Sequence, residues 1–234
     1  MTAVDEPHCV YPLLLQSPFP IPHTLQYLMP HSSNYPTPSH TQQCELIIKR
    51  SRFITTVGHV NSRVDAKQFI QLMRDEYPDA SHHCWAHIVG APSAFEGVDQ
   101  SDDGEPKGTA GKPILNVLQH SGLGNVVLVV TRYFGGVKLG AGGLVRAYSQ
   151  SASQAVQELE TREYVVCQVV TLLFSYHLQG KVEYYLASND IVITDKTFSQ
   201  QVCFTIAAPQ NKVSELQNDL DQLSNGEILM TFEN

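Results

Sequence analysis

Two hydrophobic periods alternate along this chain from Cys44 onward. Residues 44–50 and 52–60 alternate or cluster β-branched side chains and predict two strands. Val64, Phe69, Ile70, Met73 and Tyr77 follow helical spacing, and Pro78 ends that element. Residues 83–90 predict a strand and residues 91–111 a long polar loop. Pro113 stands in the first turn of a helix reading ILNVLQH, which Gly122 and Gly124 end. Residues 125–131 are apolar on both faces and belong in the centre of a sheet. Leu144, Tyr148, Ala152, Ala155 and Leu159 then mark the inner stripe of a helix reaching Glu160.

The remainder predicts a strand at 164–175, a helix at 177–188, strands at 190–196 and 201–208, a helix at 209–223 and a strand at 227–232. That βαββαβ order fits a ferredoxin-like sandwich. The fold class is therefore α+β with two domains, 41–161 and 162–234, which suits 234 residues at about 100–150 per domain. Residues 1–40 hold eight of the thirteen prolines, no Lys or Arg, and only Asp5 and Glu6 as charges. They predict a disordered tail of polyproline character, within which Met29 is a candidate translation start.

Charge narrows the function classes. The formal net charge is −8, and sequence-blind nucleic-acid binding needs Lys and Arg to displace counterions from phosphates. Only a local basic patch overcomes that balance. The five cysteines, Cys9, Cys44, Cys84, Cys167 and Cys203, form no CxxC pair and read as a reducing compartment. No apolar run approaches the roughly 18–20 residues of a membrane span, and the N-terminus lacks the basic flank of a signal peptide. A cytoplasmic protein without a membrane partner is expected.

Candidate chemistry collects in residues 101–147, which hold ten of the fifteen glycines. Glycine inside a regular element costs about 0.5–1 kcal/mol, so such a concentration points to shaped loops. Asp102, Asp103 and Glu105 form a polar loop whose oxygens suit a hard cation, or whose Asp-Gly step makes a plain turn. Lys107 and Lys112 stand beside them. GEPKGTAGKP is not a phosphate-binding Walker loop, because Pro113 replaces the required Ser or Thr. Arg132 ends the central strand, where ligands of open α/β sheets gather, and a guanidinium there can grip an anion. Tyr133 and Phe134 beside it point to opposite faces, so at least one is core. The turn around Lys138, Gly140, Gly142 and Gly143 opens the helix bearing Arg146, and helix N-termini suit anions. Lys49, Arg50 and Arg52 form the one compact basic cluster. His83 and His87 share a strand face, but the further ligands of a zinc site are not announced. Cys84 reads as a buried thiol. No metal and no cofactor are expected.

The runs GKPILNVL from Gly111, VVTRYFGGVKLG from Val129 and GGLVRAY from Gly142 resemble the signature of the Impact/YigZ family. SRFIT at Ser51, HHCWA at His82 and SDDGEPKGTAGKP at Ser101 resemble it in the same order. The resemblance implies an N-terminal domain like the second domain of ribosomal protein S5, also used by elongation factor G. It implies a C-terminal ferredoxin-like domain similar to the last domains of that factor. Eukaryotic relatives regulate translation by competing for a kinase activator, but their partner-binding RWD domain has no counterpart here. The chain looks like the short bacterial form, for which nucleic-acid or ribosome association has been inferred from fold. The leading expectation is a translation-associated protein, more a binder of RNA or a ribosomal surface than an enzyme. Lys49, Arg50, Arg52, Lys107, Arg132, Lys138, Arg146 and Gly140–Gly143 would take phosphates. Alternatives are a metal-assisted enzyme acting on a phosphorylated small molecule, with Asp102, Asp103 and Glu105 as ligands or bases, and a protein-binding adaptor. No protein partner is identified.

Overall fold

A computed structural model describes residues 34–232. The expected tail up to residue 33, Met29 included, lies outside the described residues. The tail prediction fails at its end, where Tyr35–Pro38 forms a strand, β1. Then follow β2 (Gln42–Ile48), β3 (Ser51–His59), α1 (Arg63–Glu76), β4 (His82–Ile88) and β5 (Val98–Ser101). The segment 91–111 is thus not wholly loop. After α2 (Gly111–Ser121), β6 (Val126–Tyr133) and α3 (Ala141–Gln157) comes β7 (Thr161–Tyr164). The later part comprises β8 (Cys167–Phe174), α4 (Gln179–Ser188), β9 (Val192–Phe198), β10 (Val202–Pro209), α5 (Val213–Ser224) and β11 (Leu229–Phe232).

The chain divides into two compact units, Tyr35–Tyr164 and the part from Val165. In the first, an antiparallel sheet has the order β2-β3-β6-β4-β5, so β6, apolar from Val126 to Val130, lies at its centre. Alternation divides its side chains between two cores. Leu128 and Val130 join Phe53, Ile114, Leu118, Leu144 and Tyr148 under α2 and α3, whereas Val127 and Val129 join Ala66, Ile70 and Met73 under α1. β7 returns to pair with β1, stacking Tyr164 on Tyr35 with centroids 4.9 Å apart. This pairing carries the first unit three residues beyond the expected edge at 161.

In the second unit the sheet order is β11-β8-β10-β9, all antiparallel. With α4 and α5 this is the ferredoxin-like βαββαβ sandwich. Its core is Val170, Leu172 and Phe174 of β8 with Phe204 and Ile206 of β10, closed by Val182, Leu186, Leu216 and Leu220 from the helices.

Candidate functional site

Helix α2 has no capping side chain on its own N-cap residue, Ala110. Asp102 supplies the missing acceptor from eight residues upstream, taking the N–H groups of Ala110 at 3.0 Å and Gly111 at 2.9 Å on one oxygen. Its other oxygen takes Gly108 N–H at 2.7 Å. Burial alone would raise the pKa of this carboxyl, but the three backbone donors outweigh it and hold Asp102 below the usual carboxylate value. Asp103 accepts from Arg74 at 2.7 Å and from the backbone N–H of His83 at 2.6 Å, tying the loop to α1 and β4.

Glu105 turns inward. It is 8% exposed, pairs with the guanidinium of Arg132 and accepts the Tyr148 hydroxyl at 2.8 Å. The Cys84 thiol donates in turn to the Tyr148 oxygen at 3.3 Å. Burial pushes both the thiol and the phenol well up, so both keep their protons and act as donors. Arg132, 5% exposed, lies between the rings of Phe53 and Phe134, 5.4 and 5.6 Å from their centroids. It also donates to Ser51 Oγ at 3.3 Å, while its Nε has no hydrogen-bond partner among the described residues.

These contacts bear on two readings of the sequence, the acidic loop as cation ligands or plain turn, and Arg132 as an anion clamp. The acidic trio is not an open cation site, because protein donors occupy all three carboxylates, and among the described residues no group of three or more His, Cys, Asp or Glu is set to hold a metal. Arg132 closes an internal ion pair instead of clamping an external anion. Period two contained the signal: Arg132 shares a strand face with Leu128 and Val130, both core. His83 and His87 do not converge either. His83 Nδ1 meets Thr131 Oγ1 at 3.2 Å, His87 Nδ1 donates to the Gly97 carbonyl at 3.1 Å, and Trp85 stacks on His87.

The cations gather elsewhere. Ile48 pairs with Ser51, leaving Lys49 and Arg50 as a two-residue hairpin turn with φ of 45° and 68°. Both sit in the left-handed region, which such turns ordinarily fill with Asn-Gly. Gly135 passes so close that a Cβ there would stand 2.0 Å from the Arg50 carbonyl oxygen, and its N–H donates to Ser51 Oγ at 3.2 Å. Turn and post-β6 loop are thereby fastened together. The loop ends at Gly140, whose φ of 73° begins α3 with no capping side chain and no acid in the first turn.

Here Ile48 at the end of β2, Lys49 of the turn, Leu139, and Gly143, Arg146, Ala147 and Gln150 of α3 line a cleft of about 180 Å³. Lys49, Lys138 and Arg146 are exposed, and none of them joins an ion pair among the described residues. Arg52 is different, since Glu45 neutralises it at 2.8 Å and it lies over the Tyr133 ring. Lys107, Lys112 and Lys138 are exposed but do not line the cleft. A larger groove of about 370 Å³ between α2 and α3 is lined by residues such as Asn116, His120, Ser149 and Gln157, with no Lys or Arg. Sequence reasoning missed Ile48, Leu139 and Gln150 at the cleft and Ser51 beside Arg132. The helical repeat that sets Arg146, Ala147 and Gln150 on one face was the available signal for Gln150.

A basic cleft on an α/β sandwich, followed in the chain by a ferredoxin-like sandwich, defines a class of two-domain α+β proteins. Known families narrow it further. Residues 49–156 match the Impact N-terminal domain, and residues 172–227 match a domain of unknown function, DUF1949. The chain is 41% identical to the IMPACT family member YigZ of Escherichia coli (strain K12) over 181 residues, covering 77% of this chain and 89% of the relative. It is 34% identical to the IMPACT family member YvyE of Bacillus subtilis (strain 168), covering 82% and 88% of the two chains. A crystal structure of a hypothetical protein superposes with a TM-score of 0.69 at 37% identity, covering 86% of this chain and 98% of the other. The chain belongs to the IMPACT family.

Proposed function

We propose that this protein is a cytosolic, translation-associated RNA binder whose first unit grips phosphates at the Lys49–Arg146 cleft. One observation carries the reading: two exposed cations without ion-pair partners flank one cleft, beside a helix start that bears no acid. Free cations are what phosphate binding uses, and every Lys or Arg already paired to a carboxylate has lost most of its value there. Arg50 and Lys138 extend the positive surface. Arg52 and Arg132, expected at the same task, serve Glu45 and Glu105 instead.

The test is sedimentation with ribosomes, and titration with structured RNA, across a salt series. Association should fall log-linearly with salt, and replacing both Lys49 and Arg146 by Ala should reduce that slope by about 2, one per phosphate contact. No association even at low salt would sink the reading.

A further inference from the structure

The cleft is shaped for more than a phosphate. Three of its walls, Ile48, Leu139 and Ala147, are apolar, and Ile48 and Leu139 continue into the main core. A phosphate group is polar on every side and gains nothing from such walls. A nucleobase, flat and apolar on its faces, does gain. Gln150 lines the same cleft, is exposed, and its side chain makes no hydrogen bond among the described residues. Its amide offers both donors and an acceptor, the complement of a base edge. Lys49 and Arg146 line it too and supply the charge that a nucleotide's own phosphate requires.

We propose that this cleft takes one unpaired nucleotide of a bound RNA, its base against Ile48, Leu139 and Ala147, its edge at Gln150 and its phosphate at Lys49 and Arg146. The proposal rests on the reading that the first unit binds RNA, and it adds a strand preference. A duplex keeps its bases stacked inside and has none to offer without the cost of extruding it. A single strand or a loop offers one freely. Gln150 thereby becomes a specificity residue, while Lys49 and Arg146 remain indifferent to strandedness.

Titrating the full-length chain with a short labelled oligoribonucleotide, and with the same oligomer annealed into a blunt duplex, tests this. The single strand should bind about tenfold or more tighter. Gln150→Ala should weaken single-strand binding roughly five- to hundredfold, the range for losing one hydrogen-bonded base contact, and so narrow or remove the gap to the duplex. Gln150→Trp, which blocks the cleft from an exposed helix position, should abolish the preference, with circular dichroism confirming an intact fold. Equal binding of both forms by the wild-type chain, or a preference that survives both substitutions, would overturn the nucleotide site while leaving RNA binding intact. Absence of binding to either form would remove RNA binding itself. Tight binding of free nucleoside monophosphates without binding of the oligomer would also overturn the proposal.

Discussion

Glu105 and Arg132 hold opposite charges in the interior of the first unit, with Tyr148 and Ser51 filling part of their remaining hydrogen-bonding capacity. Such a pair adds little net stability when complete, because both ions were taken out of water, but breaking it strands a buried charge. Glu105→Gln should therefore cost about 3–5 kcal/mol, read as a lower urea midpoint of the first unit. Tyr148→Phe, which removes one donor from that carboxylate, should cost about 1.5–3 kcal/mol. Histidines set the pH response. Burial first of all holds His59, His83 and His87 below their ordinary value. Below about pH 6.5 the unfolded chain takes up protons that these folded imidazoles resist. Stability present above that pH should fall as pH drops toward the depressed folded values, and level off beneath them. Thermal melts between pH 7.5 and 5 should show this decline, and a melting temperature constant over that window would contradict it.

Among the elements, the Lys49–Arg50 turn and the loop after β6 depend on one glycine. Gly135→Ala would drive a methyl into the Arg50 carbonyl, so strand and loop must separate. The expected loss is roughly 1–3 kcal/mol, together with weakened RNA binding because Lys49 and Ile48 shift from the cleft. Legibility from sequence also varied by element. β6 was plain because seven of its eight residues are buried and most are β-branched, a pattern that only a central strand wants. β5 was hidden because VDQS holds a single apolar residue, and its strand state comes wholly from pairing with β4. β1 was hidden by Pro36 and Pro38, which a two-stranded ribbon tolerates because it is all edge. For the site, Lys49 and Arg146 stood out as cations. That Asp102, Asp103 and Glu105 would be consumed by internal donors did not, since their partners lie 6 to 43 residues away in the chain.

The whole molecule carries a net charge of −8, which repels the ligand that its cleft is read as binding. A few local cations must therefore act against a long-range field of the wrong sign. Added salt screens that repulsion as well as the contacts, with a screening length of about 8 Å at physiological ionic strength. Measured salt slopes should be shallower than the number of contacting cations implies, and charge-neutralising substitutions of acidic surface residues far from the cleft should speed association without changing strand preference. Stopped-flow association rates of an Asp79→Asn, Glu96→Gln variant, two exposed acids of the first unit that do not line the cleft, would show it. The turn at Lys49 and Arg50 meanwhile exposes a trade-off. Each residue sits in a backbone conformation that costs a non-glycine side chain of order 1 kcal/mol or more. Exchanging the pair for Asn-Gly should make the hairpin sturdier and raise the melting temperature, yet leave RNA bound more weakly. A screen that rewards thermostability alone would select this chain away from the proposed RNA binding at that one turn.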